Sequence, residues 1–81
     1  MKIAFTAKAD RDYEGLPVKI QQQADKQLDL LSQNLRHPSL KAKKYDESQD
    51  LWQGRINKSY RFYFQIAGDT YIIIALIAHP K

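Results

Sequence analysis

The hydrophobic pattern of this chain changes character at one point, His37-Pro38, and that break limits what it can fold into. Before it, Ile20, Ala24, Leu28, Leu31 and Leu35 recur at spacings of four, four, three and four, which draws a stripe down one side of a helix. Lys19, Gln22, Gln23, Lys26 and Gln33 fill the wet side, so the stripe reads as core packing. After the break the pattern alternates as strands do, most clearly over residues 60–66. A chain that is helical first and strand-forming afterwards places its helices on one face of a largely antiparallel sheet.

Punctuation along the chain supplies the elements. Residues 2–6 read as a first strand, with Ile3 and Phe5 on one face. Thr6 is an N-cap for a helix over residues 7–14, and Gly15 stops it. Leu16-Pro17 opens the striped helix, which His37-Pro38 closes. Short strands follow at residues 43–45 and 51–56, then at 60–66 and 71–78 around a Gly68-Asp69 turn. The expectation is an α+β fold. An N-terminal strand and a helical hairpin pack on one face of a mainly antiparallel sheet of about four to five strands, and residues 1–81 form a single domain.

Size and composition exclude several classes. An 81-residue chain buries a modest core, so a bound partner would add much to its apparent stability. With no cysteine there are no disulfides and no thiolate metal sites. Two histidines without ligand spacing give no reason to expect a metal, and no cofactor is expected. The first residues become charged too early for a signal peptide, and the apolar run at 71–78 is too short to span a bilayer. A cytoplasmic protein without a membrane partner is expected. The net charge of +4 suits an anionic partner, or simply a solvated basic surface. From Leu40 onward five Lys and two Arg face four acids, and Lys41, Lys43 and Lys44 fall together.

Register follows from alternation. A hairpin through Asn57-Lys58-Ser59 brings the apolar faces of the third and fourth strands together, pairing Ile56 with Tyr60, Gly54 with Phe62 and Trp52 with Phe64. The same register sets Arg55 across from Arg61 and Gln53 across from Tyr63. Opposed like charges are unfavourable in a sheet unless the face is open and solvated, or an anion sits between them. Phosphate suits the guanidinium fork. Pairing through Gly68-Asp69 places Ile72, Ile74 and Leu76 beside Gln65, Tyr63 and Arg61. This predicts an open sheet face that is part basic and part apolar, as partner sites often are.

These segments, in their order, are similar to a known family. His37-Pro38-Ser39-Leu40-Lys41-Ala42-Lys43-Lys44-Tyr45 is followed by Leu51-Trp52-Gln53-Gly54-Arg55-Ile56. Tyr60-Arg61-Phe62-Tyr63-Phe64 and the terminal Ile77-Ala78-His79-Pro80 complete the set. Over nearly its whole length the chain resembles the RelE/ParE superfamily, toxins of type II toxin–antitoxin pairs. The resemblance implies a ribosome-dependent mRNA endoribonuclease that halts translation and is held in check by a cognate antitoxin. Members of the ParE type instead poison DNA gyrase, and an inactive toxin-like binding module is a third possibility. Carried over position by position, Arg61 matches the arginine that contacts the scissile phosphate, and Arg55 a basic position on the preceding strand. His79 lies near the terminal His or Arg position. Arg61, Arg55 and His79 are thus the expected catalytic set, and Lys41, Lys43, Lys44, Lys58 and Tyr63 the expected RNA contacts.

The chemistry asks for such groups. Metal-free RNA cleavage needs the 2′-hydroxyl activated, the phosphorane charge stabilised and the 5′-oxygen protonated. Opposed arginines suit the second task, and histidine, which ordinarily titrates near neutrality, suits either proton transfer. Tyr63, on the Arg61 face, could stack on a base or act through its hydroxyl. Alternation puts Lys41 and Lys43 on one face and Lys44 on the other, so a single-face footprint includes Lys43 or Lys44. His37, before a proline, reads as a helix-end residue.

Overall fold

The computed structural model describes residues 1–79; Pro80, the last position of the terminal motif, and Lys81 lie outside it. The elements are β1 Lys2–Phe5, α1 Ala7–Glu14, α2 Val18–Gln33, a 3-10 turn at Pro38–Leu40, β2 Lys43–Asp46, β3 Leu51–Arg55, β4 Tyr60–Ala67 and β5 Thr70–Ala78. Five strands make one sheet in the order β1-β5-β4-β3-β2. All its pairings are antiparallel except that of β1, which lies parallel to β5.

Thr6 caps α1 as its sequence position suggests. Its hydroxyl accepts the Ala9 N–H at 3.1 Å and donates to the Ile74 carbonyl at 3.3 Å. A single side chain thereby starts the helix and ties it to β5. Asp12, further along α1, accepts the Leu76 N–H at 3.1 Å. That bond satisfies the β5 edge beyond the short β1. The striped face of α2 buries Ala24, Leu28 and Leu31 in a core with Phe62, Phe64, Ile73 and Leu76. Each large side chain fully buried in this way contributes about 1.5–3 kcal/mol.

Two boundaries differ from expectation. Pro17 sits at the N-cap of α2 and the helix begins at Val18. It also ends at Gln33 and does not run to His37-Pro38, because Asn34 turns extended at φ −160°. The Asn34 side chain accepts the Arg36 N–H at 3.0 Å, and its carbonyl accepts the His37 N–H at 3.0 Å. A local side-chain turn of this kind competes with helix continuation. Leu35, past the helix end, still packs half-buried against the core.

The β3–β4 register is the expected one: Trp52 pairs with Phe64, Gln53 with Tyr63, Gly54 with Phe62 and Arg55 with Arg61. The β4–β5 register is correct only near its turn, where Gln65 pairs with Ile72. An irregularity between Tyr63 and Phe64 then inserts one residue into β5, so that Tyr63 pairs with Ala75 and Arg61 with Ile77. One extra residue reverses the alternation beyond it. Leu76 consequently points into the core, where it is 2% exposed, and does not join the open face. The turn itself has Gly68 at φ +59°, as the first central position of a type II′ hairpin requires.

Candidate functional site

The open face of the sheet carries the charges. Arg55 and Arg61 oppose each other at the end of β3 and β4, and Lys43 pairs with Gln53 on that face. Lys41 closes the 3-10 turn in the left-handed region, φ 45°, which swings the chain from that turn into β2. The His79 N–H donates to the Ser59 carbonyl at 2.7 Å, which holds the end of β5 against the β3–β4 loop. Between these segments lies a cleft of about 170 Å³ lined by Lys41, Lys43, Gln53, Gly54, Arg55, Arg61 and His79. Among the described residues no carboxylate lines it, so four cations repel one another across a small space. An anion placed there would relieve that repulsion.

The two arginines are held differently. Arg61 was expected on an open solvated face, yet it is only 9% exposed. Its Nη1 donates to the carbonyls of Asn57 at 2.6 Å, Lys58 at 3.3 Å and Tyr60 at 3.0 Å. The loop turns several carbonyls inward, and the guanidinium folds back to satisfy them. Nε and Nη2 make no hydrogen bond among the described residues. In Arg55 it is Nε that is buried without a partner among them. Arg55 itself lines the cationic cleft, where an anion would pair with its charge.

Of the expected site residues, the structure gathers Arg55, Arg61, His79, Lys41 and Lys43. Lys44 lies on the opposite face beside Trp52, its ammonium 5.1 Å from the indole centroid, and pairs with Asp50. The hydrogen bond that Lys44 donates to the Asp50 carboxylate raises its pKa above the ordinary lysine value. Lys58 is exposed at the loop tip, outside the cleft lining. Tyr63 is buried to 7% exposure. Its hydroxyl accepts from Gln53 Nε2 at 2.9 Å, and its ring meets Tyr45 edge-on at 5.0 Å. Tyr45 is thus the exposed aromatic at this position. His37 accepts the Ser39 N–H through Nδ1 at 3.2 Å and caps the 3-10 turn. Gln53 and Gly54 were missed as lining residues. Gln53 shares its sheet face with Arg55 at strand spacing, and that was signal enough.

One strand, a helical hairpin and four further strands, with the last strand returning beside the first, make the RelE/YoeB-like fold. A YoeB/ParE toxin from Agrobacterium tumefaciens superposes with a TM-score of 0.83 at 17% identity, covering 99% of this chain and 100% of that one. The YoeB dimer from Staphylococcus aureus gives 0.81 at 19% identity, covering 99% and 98%. Isolated Escherichia coli RelE toxin gives 0.78 at 17%, covering 99% and 85%. No curated protein matches significantly. The family described as ParE toxin of type II toxin–antitoxin system, parDE, matches residues 3–81. The chain belongs to this family, within the RelE/ParE superfamily, and is a toxin of a toxin–antitoxin system. Several solved neighbours are complexes with an antitoxin, among them YoeB-YefM from Staphylococcus aureus and RelBE from Escherichia coli. No described helix is long and apolar enough to cross a membrane.

Proposed function

We propose that this toxin is a metal-independent endoribonuclease that cuts mRNA on the ribosome, and that a cognate antitoxin blocks it. The observation carrying the reading is the convergence of Arg55, Arg61, Lys41, Lys43 and His79 on one cleft that no described carboxylate neutralises. A scissile phosphate in the cleft would pair with the charge of the Arg55 guanidinium and take the unbonded Nε and Nη2 of Arg61. The phosphorane charge that develops as the 2′-oxygen attacks would then meet donors already in place. His79, pinned through its backbone to Ser59, serves one of the two proton transfers. Lys41 and Lys43 attract the RNA backbone without reading sequence.

The test is mRNA cleavage by purified toxin with and without programmed ribosomes, mapped by primer extension. Cuts that require ribosomes and vanish in Arg55→Ala are the expected result. Intact mRNA during toxin-induced growth arrest would overturn the reading. One observation favours a gyrase-directed toxin: the matching family is that of ParE. Such a toxin would leave mRNA whole while DNA supercoiling falls and filaments form.

A further inference from the structure

Gln27 is 6% exposed, beside the apolar stripe of α2, and the cleft lining does not include it. Its carboxamide reaches two separate segments. One Nε2 hydrogen goes to the Ser39 carbonyl at 3.1 Å, the other to the Arg55 carbonyl at 2.9 Å. Its Oε1 accepts the Ser39 hydroxyl at 3.4 Å. Ser39 belongs to the 3-10 turn that leads into Lys41 and Lys43, and Arg55 is a wall of the cleft itself. One buried side chain therefore ties the lysine wall to the arginine wall. Four residues earlier on the same helix, Gln23 accepts from Asn57 Nδ2 at 2.6 Å, and Asn57 offers its own carbonyl to Arg61 at 2.6 Å. The helix thus presents two struts at one-turn spacing to the wall that carries both arginines.

Packing alone does not call for a glutamine here. Burying a carboxamide is costly unless every donor finds a partner, and an apolar side chain of similar volume would fill the space. What the carboxamide adds is a fixed relation between the two walls. We propose that Gln27 is a positioning residue of the cleft, setting the separation of Arg55 from Lys41 and Lys43 so that a phosphate can be held by both sides. This rests on the ribonuclease reading for the identity of the anion.

The test compares wild type, Gln27→Met and a control, Ile3→Ala, chosen for a similar loss of thermal stability at a half-buried site on β1. Inorganic phosphate is titrated into labelled protein while the Arg55 and Arg61 Nε–H signals and the His79 ring are followed by NMR. All samples are held well below their melting points. In wild type and control the phosphate shifts should appear on Arg55 and His79 together. In Gln27→Met the apparent affinity should fall on the order of tenfold or more, since small misplacements of converging groups have effects of that size. In ribosome-dependent cleavage the same variant should lose kcat with KM within about twofold, because groups in contact with the phosphate are misplaced and ribosome docking is not. A Gln27→Met protein that binds phosphate as wild type does overturns the proposal. So does an equal loss in Ile3→Ala, which would make the effect one of stability, and so does a wild type without phosphate shifts. Loss of the phosphate response in Gln27→Met, in a protein whose wild type never cuts mRNA, supports the positioning role and discards the ribonuclease reading alone.

Discussion

Two arginines that face each other should respond differently to the same substitution. Arg61 Nη1 serves three loop carbonyls. Arg61→Ala leaves them underbonded and should destabilise by about 1–3 kcal/mol. Arg55 has a buried Nε with no partner among the described residues, so Arg55→Met should change stability by no more than about 0.5 kcal/mol. Both variants should lose cleavage. Thermal melts beside the cleavage assay check this, and an Arg61→Ala variant as stable as wild type would show that the loop does not need the guanidinium. Lys41 offers a third case. At φ 45° it holds a conformation that costs a non-glycine residue on the order of 1 kcal/mol. Lys41→Gly should therefore raise the melting temperature slightly while weakening RNA binding. The opposition of Arg55 and Arg61 was legible in the sequence, because Trp52 and Ile56 on one strand and Tyr60, Phe62 and Phe64 on the other fix the apolar faces that must meet. The burial of Arg61 was not, since the loop carbonyls that bind it come from backbone geometry that no side-chain pattern records. Gln27 was invisible for a similar reason: a single polar residue near a leucine stripe looks the same whether it is solvated or clamped between two segments.

At the scale of elements, the β3–β4 pair depends on a missing side chain. Gly54 pairs with Phe62, and a Cβ at Gly54 would collide with the Phe62 ring. The far end of the ring, Cζ with Cε1 and Cε2, fills the space that a side chain would take. Gly54→Ala must push Phe62 into a core where it is 0% exposed, so it should cost about 1–3 kcal/mol. A melting curve indistinguishable from wild type would show that the ring moves aside freely. The β2–β3 turn makes a different prediction. Asp46 accepts the Ser48 hydroxyl at 2.7 Å and the Ser48 N–H at 2.9 Å, and these bonds hold its pKa below the ordinary 3.8. A depressed carboxyl stabilises the fold fully above that ordinary value and loses the contribution as pH falls through the folded one. The turn should loosen only under strongly acidic conditions, and Asp46→Asn should remove that acid dependence of its amide signals. The β4–β5 register shows where pattern reading stops. From Tyr71 to Ala78 both faces of β5 are apolar, so alternation carries no phase and cannot reveal an inserted residue. The β3–β4 strands, apolar on one side only, left no such freedom.

Charge is divided across the whole molecule. The groove between β1 and the helices is lined by Asp10, Asp25 and Asp29, whereas the cleft on the other sheet face is lined by Lys41, Lys43, Arg55 and Arg61. A net charge of +4 therefore understates the field at the cleft, and an anionic partner is drawn to one face. Binding of a single-stranded oligonucleotide should weaken steeply with salt, because each neutralised phosphate contributes about −0.7 to the slope of log affinity against log salt. If the four cleft cations each meet a phosphate, the slope should approach about −3. Lys43→Ala should make it shallower by roughly one phosphate's share, about 0.7. Lys2→Ala should not change it, because Lys2 sits near the β4–β5 turn and pairs with Asp69 at 3.6 Å. A 2′-O-methyl oligoribonucleotide, which lacks the attacking hydroxyl, keeps the measurement one of binding alone. Fluorescence polarisation over a range of salt concentrations reads the slope. Equal losses from the two lysine variants would mean that net charge drives the association and the cleft does not, and the division of charge across the sheet would then have no part in recognition.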